Sequence, residues 1–156
     1  MRRFCLALAL ILACSRTEPH ATSPTMTLSS PAFANNGAIP AKYTCDGANV
    51  SPPLMIAGVP ADAKSLALTV DDPDAPGGTF THWLVWKIPP STTAIVEGQH
   101  VGTEEKNGFG KPGYGGPCPP SGLHHYVFTL YAMGDEAPPS KGKVLGQTQL
   151  VGTYKR

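Results

Sequence analysis

The amino-acid sequence predicts an all-β sandwich, and three observations carry that prediction. Glycine and proline number 17 each while charged residues make up only 15%, a composition that suits short strands and tight turns. Several runs alternate apolar and polar residues with the two-residue period of a strand. No segment keeps a helical period over three turns. With 156 residues the chain is long enough for one domain with a real core. Its net charge of +1 gives no electrostatic case for nucleic acid, and none is expected as a partner.

Taken in order, residues 1–13 read as a lipoprotein signal peptide. Arg2 and Arg3 form a basic start, and the apolar run Phe4 to Leu12 is too short for a permanent membrane span. Ile11-Leu12-Ala13-Cys14 is similar to the lipobox of bacterial lipoproteins, which implies cleavage before Cys14 and lipidation of its thiol. Losing the two arginines would take the net charge from +1 to −1. Ser15, rather than Asp, follows the cysteine, which in such lipoproteins implies sorting to the outer membrane. The expected location is therefore the bacterial cell envelope, lipid-anchored in the outer membrane and facing the periplasm. Acyl chains would hold it there at about 0.8 kcal/mol per buried methylene. Residues 14–25 are a tether rich in Ser, Thr and Pro, and residues 26–156 are the folded domain. Export leaves Cys45 and Cys118 in an oxidising compartment, where a disulfide between them is expected and two buried thiols are the alternative.

Within the domain, MTLSSPAF (from Met26) and KYTC (from Lys42) are strand candidates separated by the turn sequence Asn35-Asn36-Gly37. SPPLMIAGV follows, its Pro52-Pro53 marking an edge or a strand entry. The stretch from Leu66 to Ile88 contains two strands joined by an acidic Pro/Gly loop. Leu66, Leu68, Val70 and Asp72 share one face, and His82 shares parity with Leu84, Trp86 and Ile88. Each strand thus puts an ionisable group at the end of an apolar face. Pro89-Pro90 ends the second strand, because proline donates nothing to a ladder. The glycine-rich segment Gly98 to Gly122, with Phe109, Tyr114 and Cys118 to pack it down, reads as a site-forming loop. LHHYVFTLYAM is a central strand with His124, Tyr126, Phe128, Leu130 and Ala132 on one face. KVLGQTQLVGTYKR supplies one or two final strands.

Asp72, His82, His124 and Tyr126 fall where strand ends meet these loops, with Asp74 just beyond, and together they predict a site. DDPDAP, THW and YGGPCPPSGLHHYVFTLYA, in this order, resemble the motifs of the phosphatidylethanolamine-binding protein family. NGFG and LVGTYKR add a resemblance to its bacterial YbhB/YbcL, Raf kinase inhibitor-like branch, and the similarity runs from about Met26 to Arg156. The resemblance implies a Greek-key antiparallel β-sandwich with a small anion pocket at one end. It places the family's pocket aspartates on Asp72 and Asp74, its histidines on His82 and His124, its tyrosine on Tyr126, and its pocket-closing loop on Gly116 and Pro117. Two departures follow. His125 stands where the family has an arginine, which implies a lost structural pairing. Only Gly134 to Lys143 separates the last two strands, which implies that the helix usual there is deleted.

The expected function is binding, with a possible regulatory or inhibitory role in the family's manner, and no cofactor. The ligand expected is a phosphate-containing small molecule or a phospholipid headgroup, in particular one like phosphoethanolamine. Glycine N–H groups and the two histidines would take the phosphate, while an aspartate would either orient a histidine or receive the ammonium. Three other readings compete. One is a Cys118–His124 hydrolase, with Ser121 a weaker nucleophile. Another is a metal bound by Asp72, His82 and His124, for which the spacing is poor and no metal is expected. The third is an inhibitor or scaffold for an envelope protease or other protein target, which nothing in the sequence names.

Overall fold

The computed structural model describes residues 25–156, so the signal segment, Cys14 and nearly all of the expected tether lie outside the described residues. Among the described residues nine strands run in chain order: β1 (Thr27–Ser29), β2 (Gly37–Ala38), β3 (Leu54–Ala57), β4 (Ser65–Asp72), β5 (Phe80–Ile88), β6 (Ala94–Ile95), β7 (Thr103–Glu104), β8 (Leu123–Met133) and β9 (Val144–Lys155). They form a three-stranded sheet, β1-β3-β6, and a six-stranded sheet, β2-β9-β8-β4-β5-β7. Within the larger sheet, β8-β4-β5-β7 has the order of a Greek key: the fourth strand returns to lie beside the first. All pairings are antiparallel except the short one between β2 and β9.

The core forms where the period-two faces meet. Leu66, Leu68 and Val70 of β4, with Phe128 and Leu130 of β8, pack against Leu54 and Ile56 of the smaller sheet. Each such side chain, fully buried, stabilises the fold by about 1.5–3 kcal/mol. The alternation expected for β4 and β8 is present, with Asp72 and His124 buried at the ends of their apolar faces.

β5 departs from the expected pattern. Its fully buried apolar residues are Trp83, Val85 and Ile88, whereas Leu84 and Trp86 are only half-buried. Two register shifts against β4 explain the difference. Val70 pairs with Trp83 but Asp71 pairs with Thr81, leaving His82 as the extra residue; Leu66 pairs with Ile88 but Leu68 with Val85, and Lys87 adopts φ 56°. A bulge places two successive side chains toward the same side of a sheet. The first bulge lets His82 and Trp83 both point inward, so the histidine reaches the rim without displacing the indole from the core.

Other departures are local. KYTC is not a strand: Ala41–Tyr43 is a short 3-10 turn, closed by the Thr44 N–H and hydroxyl donating to the Ala41 carbonyl at 3.0 and 2.9 Å. Thr44 thus completes the turn where a ladder was expected. The connection Gly134 to Lys143 contains no helix. Asp135 organises it instead, accepting the Ala137 N–H at 3.1 Å and the Lys143 N–H at 2.8 Å, while Ser65 donates to its carbonyl at 2.6 Å. The long glycine-rich segment contributes β7 and then packs over the rim of β5 and β8, tied down by a disulfide between Cys118 and Cys45.

Candidate functional site

At the end of the sandwich where β4 stops and β5 and β8 begin, a cavity of about 160 Å³ is walled by Asp72, His82 and His124 together with Phe80, Phe109 and the Pro119-Pro120 turn. Each histidine is held through Nδ1. His124 Nδ1 lies 2.7 Å from Asp72 Oδ2, with both side chains almost fully buried. His82 Nδ1 lies 2.7 Å from the Gly115 carbonyl. A carbonyl only accepts, so His82 carries its proton on Nδ1 and presents the Nε2 lone pair. Among the described residues neither Nε2 has a hydrogen-bond partner, and both imidazoles line the cavity.

Asp72 does not offer a free carboxylate. Oδ2 takes His124, and Oδ1 accepts the Asp74 N–H at 2.9 Å, which sets the turn after β4. It therefore orients a histidine. Asp74 faces away from the cavity, and its Oδ2 accepts both the imidazole and the backbone N–H of His125, at 2.7 and 2.8 Å. Those two bonds, the side-chain one first, hold the Asp74 carboxyl below its ordinary range. His125, expected to lack a structural pairing, is thus bonded to Asp74 through both its ring and its backbone N–H.

Gly116, Pro117 and Tyr126 do not line this cavity. Gly116 donates its N–H to Asn49 Oδ1 at 2.8 Å, and a Cβ there would lie 2.5 Å from the Tyr43 carbonyl oxygen. Pro117 accepts the Cys45 N–H at 3.0 Å. Both anchor the loop behind the cavity wall. Tyr126 is fully buried, edge-on to His82 with ring centroids 5.1 Å apart. Its hydroxyl is sealed and lacks a well-aligned partner, the Cys118 backbone amide only approaching it. Burial, and after it the Asp72 charge, raises its pKa. Tyr126→Phe removes a desolvated hydroxyl whose one polar contact, to the Cys118 amide, is poorly aligned. The variant is expected to match or exceed wild-type stability by up to about 1 kcal/mol in urea melts, with pocket affinity unchanged; a clear loss of either would assign the hydroxyl a role.

Burial pushes His82 below the usual histidine range, against the smaller opposing pull of Gly115 and Asp72. The folded protein then binds fewer protons than the unfolded chain. This contribution is complete above the unfolded value of about 6.5 and is lost as pH falls through the window beneath it. Wild type should lose urea resistance between pH 7.5 and 5.5 more steeply than His82→Gln; equal slopes would show that this histidine is not the cause.

Phe80 and Phe109 were missed as pocket residues. Phe80 shares parity with His82, and their centroids are 5.0 Å apart; Phe109 stands half-exposed over both, 4.8 Å from Phe80 and 5.6 Å from His82. Asn107 shapes the loop beneath Phe109, accepting its N–H at 2.9 Å and donating to the Gly113 carbonyl at 2.9 Å. Its Asn-Gly dipeptide was the available signal. Cys118 is bonded and offers no thiolate to His124, and Ser121 is exposed. Among the described residues no group of three or more His, Cys, Asp or Glu is placed to hold a metal, and no helix is long and apolar enough to cross a membrane.

Comparison with known proteins agrees with this architecture. A Methanothermobacter thermautotrophicus protein of the UPF0098 group is 44% identical over 150 residues, covering 84% of this chain and 99% of its own. A Mycobacterium tuberculosis protein named as a candidate lipoprotein, LppC, is 42% identical over 155 residues, covering 89% of this chain and 77% of its own. The crystal structure of Escherichia coli YbcL, described as a member of the mammalian PEBP family, superposes with a TM-score of 0.75 at 29% identity, covering 84% of this chain and 98% of that one. Residues 29–155 match the family described as phosphatidylethanolamine-binding protein. With the match spanning most of the chain and the fold shared with YbcL, this chain belongs to the phosphatidylethanolamine-binding protein family, a family of ligand-binding type.

Proposed function

We propose that the protein binds a small phosphate-bearing anion between His82 and His124. The observation that carries this reading is the pair of imidazoles lining one cavity, whose Nδ1 atoms are occupied and whose Nε2 atoms have no partner among the described residues. Asp72 fixes the ring of His124, and its remaining oxygen is already engaged. The ammonium of a phosphoethanolamine headgroup would therefore meet a carboxylate already committed to His124 and the Asp74 N–H, in a cavity otherwise lined by apolar groups that include Phe80 and Phe109. Phosphate recognition dominates, and the headgroup adds little.

His82 must take up a proton before its Nε2 can donate to phosphate. Calorimetric titration with inorganic phosphate, phosphoethanolamine and glycerophosphoethanolamine should show binding by wild type and at least tenfold weaker binding by His82→Ala and His124→Ala. Glycerophosphoethanolamine keeps its charge across this range, so its affinity should rise from pH 7.5 to 5.5 through proton uptake by the protein. No binding by wild type, or equal binding by the variants, would end this reading. The envelope location is part of the same proposal. The lipobox-like run ending at Cys14 supports it, as does the name of the mycobacterial relative. Metabolic labelling with a tagged fatty acid should mark wild type and leave Cys14→Ser unmarked.

A further inference from the structure

A second, larger cavity of about 320 Å³ lies beside the histidine cavity and contains neither histidine. Phe109 and Cys118 line both. We propose that this second cavity is a subsite for the organic part of the same ligand, and that the ligand class is a phosphate ester of a flat apolar group, such as an aryl phosphate. The inference rests on the phosphate reading above.

Size is the first reason. The histidine cavity has room for a phosphate and little else, while the two together reach the volume of small-molecule sites, about 300–1,000 Å³. Shape is the second. The lining includes the rings of Phe109 and Tyr114, the Cys45–Cys118 disulfide and the bare backbone of Gly115 and Gly116. At Gly115 a Cβ would lie 2.6 Å from the Phe109 ring, so the absence of side chains keeps this wall flat. Charge is the third. No acidic residue lines the cavity and Lys111 does, which suits an anionic ester and disfavours a cationic one. Polar groups near the floor are already paired, with the Tyr114 hydroxyl donating to the Tyr43 carbonyl at 2.8 Å and Asn107 holding its own loop. An apolar occupant therefore strands few of them.

Phenyl phosphate and inorganic phosphate distinguish this proposal from the one beneath it. Wild type should bind phenyl phosphate at least tenfold more tightly than inorganic phosphate, with nuclear Overhauser contacts from its ring protons to Tyr114. Pro112 lines only the second cavity and is exposed, so Pro112→Trp should fill that space and abolish the gain while leaving inorganic phosphate affinity unchanged. If inorganic phosphate binds but phenyl phosphate binds no tighter, or if Pro112→Trp keeps the full gain, the subsite is overturned and the phosphate pocket stands. If neither compound binds, the phosphate reading itself fails.

Discussion

Replacing His124 with alanine is expected to cost about 3–5 kcal/mol of stability and to abolish phosphate binding. The imidazole is the partner of a carboxylate that lies almost wholly out of water, 2.7 Å away. Removing it leaves Asp72 with only the Asp74 N–H, too little to offset its desolvation. The melting temperature should fall by roughly 10–20 °C. Asp72→Asn is the instructive companion. Its amide oxygen can still accept from Nδ1, so stability should fall by only about 1–2 kcal/mol. Anion affinity should nevertheless drop, because a neutral amide accepts a weaker hydrogen bond and orients the His124 ring less firmly. Urea denaturation followed by circular dichroism, with calorimetry on the same samples, checks both halves. A His124→Ala protein within 1 kcal/mol of wild type would mean that the pair contributes little.

Removal of the disulfide is expected to be as large. Cys45 and Cys118 are 73 positions apart, and closing a loop of that length stabilises a fold by roughly 4 kcal/mol through the entropy of the unfolded chain. Cys45→Ser/Cys118→Ser should melt roughly 10–20 °C lower, and wild type in strong reductant should behave alike. Ligand affinity should weaken only severalfold, because Gly116 and Pro117 keep their own backbone bonds to Asn49 and Cys45. A variant melting within a few degrees of wild type would sink the estimate, and complete loss of binding would show that the disulfide alone positions the loop.

Strand periodicity was readable wherever the ladder is regular. The faces of β4 and β8 follow from alternation because side chains on an unbroken strand alternate without exception. β5 was misread because FTHWLVWKI is apolar on both parities, so nothing in the residue types marks the two extra residues. Bulges are properties of pairing, visible only against the partner strand. Tyr126 was misplaced for a related reason. Its strand face is correct, but the ring of His82 and the loop at Cys118 cover it, and both come from distant parts of the chain.

Residue types and spacing alone determined the all-β class, the main strands, and the ionisable groups that end buried faces at Asp72 and His124. Those are consequences of local backbone geometry and of the segregation of apolar side chains; His82 owes its inward position to the bulge in β5. Only the tertiary structure decided which atoms those groups spend on one another. Asp72 meets His124 across 52 positions and His82 meets the Gly115 carbonyl across 33. Such contacts depend on how the sheet registers and the loop closes, which no short window of sequence encodes. That closure decided between the two roles open to Asp72 in favour of supporting one histidine, brought both imidazoles to one cavity, and made Phe109 common to that cavity and its larger neighbour.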